Sequence, residues 1–386
     1  MRNIVYYLIV VFISSVYCND NGKVVDIDDY FTQNYTSKPV LSPDGSYLTY
    51  TEYKWNEDKD GRESDIWIVS TKLGEPIRLT FDGSYKSQLQ WGDDNKTIYF
   101  KSTNKRSGEK TPPYNNKSQV WRISIDNTQF IPVTKHTDGV GMFRLSFANN
   151  SIYYTTKKKD ITDEWKGLKE EFSNLKYGHG VVSFSKVWSV NLSTWRASCI
   201  LDNKKVITDI SISPKGNYCA IITKPDGTLL SGEGWSNVEI LDLRSGTSKM
   251  VTESGWRNEH PAPYGWLENL AWPVDEKSVA FTVAFDGYPA EIYIYNNEKD
   301  PYLYKVNRPD NIHISNNLYW RGNTNELCFL AEEKARRRVY SFRNLKQESK
   351  PIIKTITPGD VVVNSFSFNK NGNTMVASIT RPDRQA

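Results

Sequence analysis

One arrangement occurs seven times along this chain: an aromatic or aliphatic anchor, a polar turn, then an apolar run. The segments are "VLSPDGSYLTYT", "LQWGDDNKTIYFKS", "LSFANNSIYYTT", "ISISPKGNYCAIIT", "LAWPVDEKSVAFTV", "LYWRGNTNELCFLA" and "FSFNKNGNTMVASIT". In the first, Pro43 presets its own φ and Gly45 accepts a positive one, so Pro43-Asp44-Gly45 reads as a tight turn between two strands. The anchors are Leu41, Trp91, Phe147, Ile212, Trp272, Trp320 and Phe368, at spacings of 50, 56, 65, 60, 48 and 48 residues. That period is too long for a solenoid coil and matches a four-stranded sheet with its loops.

A second signature follows each of the first six anchors: "DIWIVST", "QVWRISI", "KVWSVNL", "NVEILDL", "EIYIYNN" and "RVYSFRN". Each alternates apolar and polar residues, as a half-buried strand does, and leads through a turn to a short outer strand such as "EPIRLT" or "QFIPVT". Two strand types recurring in fixed order six times favour a propeller over stacked hairpins in sandwiches. The expected fold is all-β: a seven-bladed β-propeller of four-stranded antiparallel blades, the last blade incomplete, with one short helical insertion. The 23 Tyr, 15 Phe and 12 Trp against only 24% charged residues fit aromatic strands better than long solvated helices.

The chain begins "MRNIVYYLIVVFISSVYCND", in which Arg2 precedes an uncharged apolar run from Ile4 to Val16. A run shorter than the roughly 18 to 20 residues of a membrane helix reads as a secretory signal peptide. Residues 1–18 are the expected signal and 19–386 the propeller domain, so the expected location is secreted, or the lumen of the secretory pathway. An uncleaved segment would instead tether the protein to a membrane. Removing residues 1–18 leaves 48 basic against 45 acidic residues, without a basic stripe, so no nucleic-acid partner is expected.

The three remaining cysteines, Cys199, Cys219 and Cys328, are isolated and odd in number. They read as buried free thiols, with a Cys199–Cys219 bridge as the alternative. His136, His179, His260 and His313 lack metal-ligand spacing and read as structural, so neither metal nor cofactor is expected. Asn34, Asn95, Asn116, Asn149 and Asn191 each stand in an N-x-Ser/Thr pattern, which means glycosylation in a eukaryotic secretory pathway and chance otherwise.

With these residues in view, the region from about Val25 to Arg384 resembles the WD-like β-propeller of the prolyl oligopeptidase family of serine peptidases, notably its dipeptidyl-peptidase and acylaminoacyl-peptidase branches. Turn-strand motifs such as "SPDG" also occur in TolB-type propellers. The segment 164–197, "EWKGLKEEFSNLKYGHGVVSFSKVWSVNLSTWRA", is similar to a blade insertion of secreted members of the peptidase family. The resemblance implies a propeller that gates access of peptides to an α/β-hydrolase domain carrying Ser, Asp and His. No G-x-S-x-G nucleophile elbow occurs in the chain; the nearest fragment, "SGTSKM", lacks the closing Gly. The expectation is therefore a non-catalytic domain ending in the seventh blade ahead of the hydrolase, with the segment Gly22 to Phe31 as a rival means of closing the ring. The alternative function is a secreted TolB-like propeller acting as an interaction module; a homo-oligomer stays open in either case.

Within the insertion, Ile161, Trp165, Leu168, Phe172 and Leu175 recur at helical steps and form one apolar stripe, with Thr162 placed to cap the start and Gly178 the end. Glu170 and Glu171 lie on this helix. The resemblance implies that such a glutamate pair holds the free amino terminus of a peptide substrate, and two carboxylates can give an ammonium charge-assisted hydrogen bonds. Against this, Glu170 points about 180° from the stripe and Glu171 about 75°, so both cannot face one core, and Lys166 is spaced for an ordinary surface pair with Glu170.

Overall fold

In this computed structural model residues 26–380 are described, apart from 73, 162, 175–180, 225–235, 252–264, 286, 323 and 358. Six antiparallel four-stranded blades and a two-stranded seventh follow one another along the chain. Blade 1 is Val40–Leu41, Tyr47–Asn56, Gly61–Ser70 and Ile77–Arg78, with Tyr35–Thr36 extending it by pairing with Tyr53 and Glu52. Blade 2 is Lys86–Trp91, Thr97–Lys105, Asn115–Ser124 and Asn127–Pro132. Blades 5 and 6 run from Gly265–Ala271 to Tyr302–Lys305 and from His313–Trp320 to Ile352–Thr355; Val362–Phe368 and Met375–Thr380 form blade 7.

Blades 3 and 4 are joined by one strand. Ala197–Ile212 is the outer strand of blade 3 in its first part, where Ala197 to Lys205 pair with Val190 to Ser185, and the inner strand of blade 4 in its second, where Val206 to Ile212 pair with Lys224 to Cys219. The sequence pattern suggests a short outer strand and a linker here. The stretch "LDNKKV" contains neither Gly nor Pro to break the extended backbone, and Lys205 is held to Glu239 by an ion pair of 2.5 Å, so the strand continues.

The turn after the inner strand forms for the reason its residues suggest. Gly45 takes φ 80°, and Asp44 accepts from the Ser42 hydroxyl at 2.6 Å and from the Ser46 N–H at 2.9 Å. The recurrent outer-strand threonine has an equally local cause. Thr80 Oγ1 accepts from the Ile66 N–H of the third strand and donates to Asp65, and Thr134 does the same with the Val120 N–H and Gln119. Thr357 accepts from the Val339 N–H in blade 6. A hydroxyl there satisfies a buried amide that would otherwise lack an acceptor.

Hydrophobic clusters fill the gaps between blades rather than the blades themselves. Ile66 and Ile68 pack on Trp91, Phe100 and Trp121 between blades 1 and 2, and comparable clusters occupy the next five junctions through to Cys328, Leu330, Val363 and Phe366 between blades 6 and 7. The junction of blade 7 with blade 1 is held by polar contacts instead. The Leu41 N–H donates to Ser367 Oγ at 3.3 Å, and the Lys370 N–H to the Pro43 carbonyl at 3.2 Å. Of the rival closing segment, Gly22 to Phe31, residues 22–25 lie outside the described residues, and the rest is helical: Ile27–Thr32 is a short helix, started by an Asp26–Asp29 capping box. Among the described residues Met375–Thr380 pairs only with Val362–Phe368 and stays half-buried along its length.

Candidate functional site

The inner strands of blades 2, 4, 5, 6 and 7 are each interrupted by a bulge, at Ser87/Gln90, Ile207/Asp209, Glu268/Ala271, Asn316/Tyr319 and Val363/Ser365. Gln88, Asn269 and Asn317 adopt φ of 55°, 60° and 60° there, a conformation that amide side chains tolerate better than most. A bulge turns a side chain out of the pleat, and the central channel is accordingly polar. Gln90 donates to the Phe143 carbonyl at 3.0 Å and accepts from the Leu145 N–H at 2.9 Å, joining blades 2 and 3. The Asn317 N–H donates to Asn269 Oδ1 at 3.2 Å, joining blades 5 and 6.

Arg144 of blade 3 reaches Asp209 of blade 4 at 2.6 Å. Burial pushes the Asp209 carboxyl up, against the pull of Arg144 and of the Ile210 N–H. Burial, and then repulsion from Arg144, lowers the Lys38 ammonium, which sits 5.8 Å over the Phe366 ring at the start of the blade 1 inner strand. Lys38 is nonetheless exposed to water.

At the anchor end the channel opens into a cavity of about 570 Å³ to which all seven blades contribute. Six of the seven anchors line it, Ile212 being represented by Pro214 and Lys215 of its turn. Three of the anchors are tied in place by bonds or stacked rings. The Trp91 indole donates to the Val40 carbonyl at 3.0 Å and the Trp272 indole to Ser211 at 3.1 Å, each a bond to the preceding blade. Tyr47 stacks on Trp91, Tyr218 on Trp272 and Tyr319 on Phe368 at centroid distances of 6.5, 6.0 and 5.1 Å. The turns are tied likewise: Glu276 of blade 5 takes the Lys215 N–H and, at 2.7 Å, the Asn217 amide of blade 4.

The insertion helix forms over Asp163–Glu171, shorter than the stripe suggests; Thr162, Leu175 and Gly178 lie outside the described residues. None of its residues is buried: Trp165 and Leu168 are half-buried and Phe172 is exposed. The stripe is thus not sunk into a blade, because a helix this short carrying six charged residues keeps most of its circumference in water. Glu170 and Glu171 are both exposed, and Lys166 pairs with Asp163 at 2.8 Å rather than with Glu170.

Two sequon asparagines turn out to join blades. Asn95 Oδ1 accepts from the Asp44 N–H at 2.9 Å, and Asn149 Nδ2 donates to Tyr153 Oη at 2.7 Å and to the Gly216 carbonyl at 2.9 Å. A glycan on Asn149 would have to give up the second of these bonds or the first, since Nδ2 has one hydrogen left once glycosylated. Asn34 donates to Glu52 at 3.2 Å, Asn116 is exposed, and Asn191 accepts from the Thr194 N–H at 2.9 Å in its own turn. Cys219 and Cys328 are buried free thiols pushed up to about 12 by desolvation, whereas Cys199 is exposed, on an outer strand with no further strand beyond it. His136 packs against Trp188 at 5.2 Å, His313 is exposed, and His179 and His260 fall outside the described residues. The anchor-end cavity is the feature that sequence reasoning missed, although the recurrence of large anchors at one point of every repeat was its signal.

No protein-family model matches the chain. An acylaminoacyl peptidase of Pyrococcus horikoshii superposes on 91% of the chain with a TM-score of 0.59 at 13% identity, using 51% of its own length. The β-propeller domain of the trilobed protease of Pyrococcus furiosus, described as having an open velcro topology, superposes at a TM-score of 0.56 and 10% identity, covering 91% of both chains. The fold is a β-propeller of the kind that these peptidases contain. In sequence, the chain is similar to the uncharacterized peptidase YuxL of Bacillus subtilis, 23% identical over 209 residues. This match takes in 51% of the chain and 30% of YuxL, and the superposition takes in about half of the acylaminoacyl peptidase, so the chain spans only part of the length of either protein.

Proposed function

We propose that the chain is the propeller part of a secreted serine peptidase of the prolyl oligopeptidase type, where it binds peptides and gates their access to a hydrolase domain that follows Ala386. The observation that carries this reading is the combination of fold and extent: a propeller filling 91% of this chain matches half of a peptidase at a TM-score of 0.59. A polar channel bounded by a ring of anchors suits extended, unfolded chains, whose backbone amides need partners that a folded protein's surface does not. Residues 1–18 act as the export signal in this reading. Glu170 and Glu171, exposed on the insertion helix, serve as the acceptor of a substrate's amino terminus once the hydrolase domain closes over them.

The test is the coding sequence beyond Ala386. An in-frame α/β-hydrolase with a G-x-S-x-G elbow, labelled by a fluorophosphonate when expressed together with this chain, supports the reading. A stop codon there overturns it and leaves an interaction module.

A further inference from the structure

We propose that the anchor-end cavity binds the C-terminal residue of peptides, taking an apolar side chain into the aromatic ring and the free carboxylate onto Lys215 and Lys370. The inference goes beyond the peptidase reading and does not depend on it. At about 570 Å³ the cavity lies within the roughly 300–1,000 Å³ of small-ligand sites. Its walls are mostly apolar, built by Trp91, Phe147, Trp272, Val274, Tyr319 and Phe368. Phe147 and Val274 stand about two-fifths exposed at the rim, an apolar surface facing water at the centre of a ring.

The charge of the lining is one-sided. Among the described residues, Lys215 and Lys370 are its only ionisable cations and no carboxylate lines it. Lys370 Nζ sits 5.2 Å over the Phe147 ring and pairs with Asp93 at 2.6 Å, both partners being about half exposed. Such a surface pair is worth about 0–1 kcal/mol, so a ligand carboxylate can take the place of Asp93 at little cost. Lys215 Nζ donates to the Asp275 carbonyl at 3.3 Å, a neutral acceptor, and among the described residues it has no carboxylate partner.

Depth selects among apolar carboxylates. Behind the ring polar groups follow: Gln90, beside Trp91, stands in the lining itself, and Arg144 and Asp209 lie three residues before the anchors Phe147 and Ile212. A short apolar rim backed by such groups suits a single Leu or Phe better than a long alkyl chain. The preceding residues of the peptide lead outward to solvent.

Tryptophan fluorescence and calorimetric titration of this chain with N-acetyl-Gly-Gly-Leu as the free acid, its C-terminal amide and decanoate test the proposal without any hydrolysis. The free acid is expected to bind at least tenfold more tightly than the amide, and the double variant Lys215→Ala/Lys370→Ala to lose that preference. Phe147→Ala is expected to weaken acid and amide alike. The two lysines are exposed, so their removal leaves the fold intact, and the acid–amide comparison needs no variant. Equal binding of acid and amide, binding of neither, or decanoate binding more tightly than the peptide overturns the proposal.

Discussion

The Leu41 N–H and Ser367 Oγ meet at 3.3 Å across 326 positions of sequence, and with that bond the ring closes between blades 7 and 1. Each of the other six junctions carries a buried hydrophobic cluster; among the described residues this one carries none. A joint with less apolar burial is the one expected to open at least cost in free energy, since burial supplies most of the cohesion between packed layers. Amide hydrogen exchange under native conditions is therefore expected to reach Val363 and Phe366 before Phe329 and Leu330 of blade 6. Equal protection of the two blades would show that the closure is as strong as the rest of the ring.

Gly216 and Gly246 share φ 74°, and they separate conformational from steric cost. A Cβ on Gly216 would lie 2.4 Å from Asn149 Oδ1, whereas one on Gly246 meets nothing within 4 Å. Gly246→Ala is expected to cost about 1 kcal/mol, the left-handed penalty alone. Gly216→Ala adds the loss of the bond between blades 3 and 4, bringing it to about 2–3 kcal/mol. Urea denaturation of the two variants measures the difference, and equal midpoints would show that Asn149 moves aside freely.

Glu63 sits between Lys54 at 2.9 Å and Lys59 at 3.0 Å, with Asn56 also at 2.9 Å. The hydrogen bond from Lys54 leads in holding its carboxyl down to about 2, from 4.5. A depressed folded value means the unfolded chain binds the proton first. The stabilisation is thus present in full above pH 4.5 and is lost as pH falls toward 2. Because both lysines are about half exposed, screening reduces it to about 1–2 kcal/mol. Glu63→Gln should lower stability by that amount at pH 7 and flatten the acid limb between those pH values, as read from denaturant midpoints against pH.

For the complete peptidase, the change of Glu170 and Glu171 together to Gln tests the amino-terminus reading. An ammonium held by a shielded carboxylate pair is worth on the order of 2–4 kcal/mol. The double variant is then expected to lose roughly 30- to 1,000-fold in kcat/KM on peptides with a free amino terminus, and little on N-acetylated ones. Unchanged kinetics on both substrates would mark the pair as a solvated helix face.

Each blade is legible in its own stretch of chain. A turn such as Pro43-Asp44-Gly45 and the alternation in "DIWIVST" act between residues a few positions apart, so each hairpin is written in its own stretch of chain. The recurrence of Thr80, Thr134 and Thr357 is legible for the same reason, since each serves the strand beside it. Tertiary structure alone decided what happens between blades. Nothing local to Asn149 announces that its amide spans to Gly216, nor does the alternation in the inner strands announce the bulges that carry Asp209 to Arg144. The segment Gly22 to Phe31 reads as a rival closure of the ring, but within it the Asp26–Asp29 capping box starts the helix Ile27–Thr32. The anchor-end cavity exists only because seven segments spread over some 330 residues are brought around one axis, and the free energy that brings them there is the burial of apolar surface between neighbours, which has no sequence register of its own.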